Sequence, residues 1–320
     1  IFINAGFELG EYDYYDAETK AVDFEALVAS LQKVPAGDIV LLHGCCHNPS
    51  GVDLSPVQWK KIAALGREKG WIPFIDFAYQ GFGEGVEEDR CAIEEFAATG
   101  IDFIVASSFS KNFGLYNERA GALTLVSPTK EESAVAMSHL KSTIRVIYSN
   151  PPAHGGEIVA TVLSDRELTE RWIGEVGMMR DRINGNRAKF VQGLQAAGAP
   201  GNHGSLMRQR GMFSLLPLGE ERVARLRDEF GVYVVGRGRV NVAGLTARAN
   251  IYRMMIIGTL VMALPTFLLS LGPNVPLFLT YVLLMSVREA MCQPRFPQSI
   301  AEIAPEGKTG MYMGIGQFPW

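Results

Sequence analysis

Cysteine is scarce in this chain and badly spaced for scaffolding. The four cysteines, at 45, 46, 91 and 292, form no CxxC pair, so neither a disulfide framework nor a clustered zinc site is written into the sequence, and no metal is expected. The adjacent Cys45 and Cys46 cannot easily bridge to each other. Unpaired thiols suit a reduced cytoplasm. Positive charge is also short: 30 Lys and Arg stand against 34 Asp and Glu, giving a net charge of -4 and a pI near 5.8. That balance offers no basic surface to a nucleic acid, and none is expected as a partner. Internal repeats and low-complexity tracts are missing, and no signal or transit sequence is visible at Ile1. One stretch lacks charge altogether, from Met254 to Val287.

What is present reads as alternating strands and helices. Asp38 to Gly44 is a short apolar run with the character of a buried strand, and it opens into the turn-rich Cys45-Cys46-His47-Asn48-Pro49-Ser50-Gly51. Ser55-Pro56 then supplies a helix cap with proline at the first helical position, Trp59, Ile62, Ala63 and Leu65 carry an apolar stripe, and Gly70 marks the stop. Trp71 to Tyr79 and Asp102 to Ala106 read as two further strands. Strand, helix, strand, helix, strand predicts an α/β fold with a mostly parallel sheet, whose crossovers bring consecutive strand ends to one edge. Ligands bind along that edge.

Five side chains are therefore predicted to meet there although they span more than sixty positions: Asn48, Asp76, Tyr79, Ser108 and Lys111. The last sits in Ser107-Ser108-Phe109-Ser110-Lys111, with Arg119 eight residues on. A lysine amine is nucleophilic only when neutral, and burial beside a second cation lowers its pKa. This constellation suits pyridoxal 5'-phosphate, whose ring nitrogen works best protonated and paired with a carboxylate. Asp76 could be that carboxylate, Tyr79 and Asn48 could bond the phenolic oxygen, Ser108 and Arg119 the phosphate, and Lys111 could form the imine. Each has a plainer alternative: Asp76 a helix cap, Tyr79 a core aromatic, Asn48 a turn former, Lys111 a surface lysine after a strand. Ser108-Phe109-Ser110-Lys111, Tyr148-Ser149-Asn150 and Lys308-Thr309-Gly310 also reproduce the short motifs of serine enzymes that open β-lactams. Their serine starts a helix, whereas this one ends a predicted strand, and the set reads as accidental.

From Asn4 to about Thr246 the chain resembles the aspartate and aromatic-amino-acid aminotransferases, enzymes of class I and fold-type I. The likeness is carried by HGCCHNPSG at 43–51, DFAYQGF at 76–82, SSFSKNFGLYNERAG at 107–121, YSNPPAHG at 148–155 and GRVNVAG at 238–244. It implies that Lys111 is the Schiff-base lysine and moves the proton in a ping-pong transfer of an amino group between an L-amino acid, acidic or aromatic, and a 2-oxo acid. It further implies that Asp76 pairs with the pyridine nitrogen, that Tyr79 and Asn48 hold the phenolic oxygen, and that Ser108 and Arg119 hold the phosphate. Arg239 would grip the substrate α-carboxylate, Arg145 would read a side-chain carboxylate across a homodimer interface, and Phe213 would line the pocket.

The implied organisation is a large cofactor-binding domain over 1–175, a small α+β domain over 176–246 and a hydrophobic helical tail over 247–320. Ile1 reads as the middle of a strand, as though the first third of such an enzyme were missing. In the small domain, Met212 to Pro217, Gly219 to Phe230 and Val232 to Val235 read as strand, helix, strand. The uncharged run at 254–287, split by Leu271-Gly272-Pro273-Asn274-Val275-Pro276, reads as a membrane hairpin, and 289–320 is similar to transporters of the major facilitator type. An alternative reading is a non-catalytic remnant joining pieces of an aminotransferase and a transporter.

Overall fold

The computed structural model describes residues 2–216, 218–236 and 238–244. They fall within a compact unit ending at Leu245. The predicted hairpin at 254–287 and the rest of 247–320 lie outside the described residues. Among the described residues no helix is long and apolar enough to cross a membrane.

A small hairpin, β1 (Tyr15–Asp16) with β2 (Ala21–Val22), leads to helix α1 (Phe24–Leu31). The central sheet follows. Its strands β3 (Ile39–His43), β4 (Ile72–Phe77), β5 (Phe103–Ser108) and β6 (Gly121–Val126) lie in that order. β3–β4 and β4–β5 pair parallel and β5–β6 antiparallel, so the sheet is mostly parallel as expected. The crossovers are helices α2 (Pro56–Lys69) and α3 (Cys91–Thr99).

Local chemistry sets the limits of α2. Ser55 Oγ accepts from the Gln58 N–H while Gln58 Oε1 accepts from the Ser55 N–H, closing a reciprocal cap, and Pro56 occupies a position that needs no donor. At the other end Gly70 takes a left-handed φ of 72° and donates to Gly66 O. Between them Trp59, Ile62, Ala63 and Leu65 are buried, against a core that includes Val40 and Leu42 of β3, Ile75 and Phe77 of β4, Phe103 and Val105 of β5, and Phe96 of α3. Each large side chain withdrawn from water contributes about 1.5–3 kcal/mol. This core fixes the strands whose ends carry the polar groups.

Beyond β6 come α4 (Lys130–Ile147), α5 (Ala153–Ser164) and α6 (Arg166–Ala196), the last running through position 175. Then follow β7 (Phe213–Leu215), α7 (Gly219–Phe230) and β8 (Arg239–Asn241). Two expectations are corrected. The first residues do not continue a strand: Ile3–Ala5 form a 3₁₀ turn, because Gly6 at φ 88° folds the chain back and Phe7 N donates to Phe2 O. Nor is Val232–Val235 the partner of β7. Val232 N instead caps α7 through Leu226 O, Val235 makes only an isolated bridge to Arg239, and the chain turns at Gly236 and Gly238 with positive φ. Pairing therefore starts later, at β8, with Leu215 opposite Arg239.

Candidate active site

The register places His43 opposite Asp76 and Asp76 opposite Ala106, so the ends of β3, β4 and β5 are level. The loop leaving β3 is held by one carboxylate: Asp53 accepts from the Cys46 and His47 N–H groups, both at 2.7 Å. Burial pushes the Asp53 carboxyl up to about 6, against the lowering effect of those two bonds. His47 Nδ1 lies 2.8 Å from Ser50 Oγ, and its ring stacks on Tyr14 at 4.0 Å. Burial, then the nearby His43, push His47 down to about 3, so it is neutral at physiological pH. Cys46 sits at φ 52°, and Gly211 packs so tightly on it that a Cβ there would come within 2.5 Å of Cys46 Cβ.

This fixed loop presents Asn48, whose Oδ1 accepts from Arg239 Nη1 at 3.0 Å. Arg239 lies on β8 with its guanidinium carbon 4.7 Å from the centre of the Phe213 ring, a cation–π contact. Phe213 meets Tyr79 edge-on at 6.4 Å. Lys111 Nζ stands 4.4 Å from the centre of the Tyr79 ring. Its pKa is lowered by burial and by Arg119, and raised in part by Asp76. The sequence argument for Lys111 asked for burial and a second cation, and both are present. Tyr79 is pushed up, first by burial and then by Asp76, with Arg239 opposing.

Seven of the predicted residues are thus linked through contacts or fields: Asn48, Asp76, Tyr79, Lys111, Arg119, Phe213 and Arg239. Ser108 ends β5 and its Oγ accepts from Ser110 N at 3.2 Å. Arg119 takes φ 52° and donates to Tyr116 O. Arg145 is exposed near the end of α4, where it donates to Ser149 Oγ at 2.6 Å. Two groups escaped the reading of the sequence. His43 faces Asp76 across the parallel register, a neighbour found only by aligning the two strand ends. Asp53 organises the Asn48 loop although nothing in its spacing marks it as special.

Cys45, Cys46 and Asp89 offer ligand atoms within 4.8 Å of one another. Asp89 is already engaged, accepting from the N–H groups of Gly81, Gly83, Glu84 and Gly85. Burial pushes the Cys46 thiol well above its ordinary value. The cluster closes a loop.

The donor set meets the needs of pyridoxal phosphate group by group. A carboxylate for a protonated ring nitrogen, a phenol and an amide for the ring oxygen, an amine of lowered pKa for the aldehyde, and a guanidinium and hydroxyl for the phosphate are all at the same sheet edge. A pattern for the family described as aminotransferase class I and II matches residues 1–252. The chain belongs to that family. It is 55% identical over 246 residues to aspartate aminotransferase of Salmonella typhi, covering 77% of this chain and 62% of that protein. Aromatic-amino-acid aminotransferase of Escherichia coli (strain K12) is 45% identical over 254 residues, covering 79% and 64%. Among solved structures, aromatic-amino-acid aminotransferase from Burkholderia pseudomallei covalently bound to pyridoxal phosphate superposes with a TM-score of 0.75 at 48% identity, over 77% of this chain and 62% of that one. The chain therefore spans a little over three fifths of the length of such relatives.

Proposed function

We propose that this chain carries the reacting half of an aminotransferase that uses pyridoxal phosphate to move an amino group from an amino acid, aspartate or glutamate or an aromatic one, to a 2-oxo acid. The observation that carries it is the Lys111 amine, set over the Tyr79 ring at 4.4 Å with its pKa lowered between Asp76 and Arg119. When bound, the cofactor supplies an electron sink for the bond broken at the substrate's α-carbon. The chain's own residues do the rest. Lys111 Nζ holds the cofactor and, when released, carries the proton to and from that carbon. Asp76 keeps a ring nitrogen protonated through its negative charge, with His43 its neighbour across the strand register. Tyr79 and Asn48 hold the ring oxygen, and Ser108 and Arg119 the phosphate. Arg239 takes the substrate α-carboxylate, its fork oriented by Asn48 and Phe213.

Arg145, exposed here, fits a role across a homodimer interface, reading an acidic side chain in a neighbouring copy. The proposal includes a large part over 1–175 and a small part over 176–246 that closes over the substrate, with α6 running through the boundary between them. A cytoplasmic setting is supported by the unpaired thiols. The membrane-hairpin and transporter readings of the tail are supported by its uncharged run and its sequence alone.

The test is covalent. Loading the chain with pyridoxal phosphate, reducing with borohydride and mapping the labelled peptide should put the label on Lys111. Label on another lysine with Lys111 clean refutes the assignment.

A further inference from the structure

We propose that a second, separate cleft on this chain, walled by Arg180, Arg187 and Arg210, binds a small oxyanion of the phosphate or carboxylate class. The cavity holds about 360 Å³, and none of the residues assigned to the cofactor or substrate lines it. Arg187 is the anchor. It is 1% exposed, and its hydrogen-bond acceptors are neutral: Nε donates to Ser214 Oγ, Nη1 to Asn184 Oδ1 and Nη2 to Gly211 O. No carboxylate reaches it among the described residues. A buried cation without a counter-ion is costly, and the cost is relieved by an anion in reach.

The two other guanidiniums add to the same field. Arg180 Nη1 donates to Glu84 O and Arg210 Nε pairs with Glu84 Oε1, both at 2.6 Å, while Arg180 stands 3.4 Å from Asp181. The acids are on the rim: the side chains of Glu84 and Asp181 are 65% and 74% exposed. Pairs so exposed hold weakly. An entering oxyanion can displace Glu84 into solvent at little cost and accept from planar forks that match its geometry. Burial, followed by the neighbouring Arg210, brings Arg187 down to about 10, still cationic at neutral pH.

The cleft also touches the Asn48 loop from behind. Arg210 N donates to Gly51 O at 2.6 Å, and Arg187 holds the carbonyl of Gly211, which packs on Cys46. An anion that fixes these two arginines stiffens residues 46–51, and amide exchange there should slow on binding.

The experiment titrates the 320-residue chain with inorganic phosphate, by calorimetry and by thermal shift. It compares the parent with Arg187→Gln, Arg210→Gln and Arg119→Gln. Saturable binding should survive in Arg119→Gln, whose side chain belongs to the other phosphate-holding group, and should weaken about tenfold or more in Arg210→Gln. Arg187→Gln added to Arg119→Gln, which lacks the other phosphate-holding side chain, should abolish it. If that buried substitution prevents folding, Arg210, with its side chain 33% exposed, decides the matter alone. Absence of saturable binding to the parent, loss in Arg119→Gln, or undiminished affinity in Arg210→Gln overturns the proposal.

Discussion

At the scale of single residues, the two arginines proposed to bind substrate are set apart by geometry. Arg239 is half-buried and already oriented, by Asn48 on one side and the Phe213 ring on the other. Arg145 is exposed and donates to Ser149 Oγ. Replacing Arg239 by Gln should therefore weaken every amino acid substrate of the active assembly by about 2–5 kcal/mol, the usual loss when one member of a desolvated charge pair goes. Arg145→Gln should hurt aspartate and glutamate far more than phenylalanine or tyrosine. Steady-state kinetics on both substrate classes checks this, and equal losses on the two would remove Arg145 from its role. That Lys111, Asp76, Tyr79 and Asn48 lie at the ends of neighbouring strands was legible in the sequence because each follows or ends an apolar run. His43 was not, since its importance arises from a register between strands that no local pattern encodes.

At the scale of elements, the loop from Cys45 to Asp53 shows how burial makes a local structure sensitive to acid. His47 has a folded pKa of about 3 against an ordinary 6.5. Between those values the unfolded chain binds more protons, so the His47 contribution is complete above about pH 6.5 and declines as pH falls toward 3. Asp53 works the other way. Its folded value of about 6 lies above the ordinary 3.8, so its contribution is present at low pH and is lost as pH rises through that window. His47→Gln leaves the backbone bonds to Asp53 in place and removes only the first effect. By pH 5 the parent should have lost about 2 kcal/mol that the variant does not lose. Melting temperatures measured from pH 7.5 to pH 5 should fall less steeply for the variant, and parallel curves would mean that His47 titrates freely in the folded state. The helix α2 and the three parallel-sheet strands were read correctly because caps, glycine stops and apolar runs act locally. The β7–β8 pairing was misplaced because two glycines at 236 and 238 shift where the chain can turn, a choice made by tertiary contact.

At the scale of the molecule, apolar surface is distributed unevenly. The sheet side built from α1, α2 and α3 is closed over a dense core, whereas α4 buries no residue at all. Val135, Met137, Val146, Ile147 and Tyr148 are exposed along and just past α4, and Leu123 is exposed on β6 beside it. A sequence cannot show this, since the same apolar stripe is written whether or not anything covers it. The described residues leave this apolar face uncovered. Exposed apolar patches of this kind drive association in water. The compact unit ending at Leu245, made without the segment that follows, should therefore self-associate and bind a hydrophobic dye. Val135→Glu with Ile147→Lys should reduce both, because charge on the face opposes its burial between copies, while the reaction of Lys111 with pyridoxal phosphate should persist, since neither position touches the Asn48, Tyr79 and Arg239 group. Light scattering over a concentration series, with dye fluorescence in parallel, reads the first effect, and cofactor absorbance reads the second. A parent unit that stays monomeric and dye-silent would show that α4 is covered by its own chain after all.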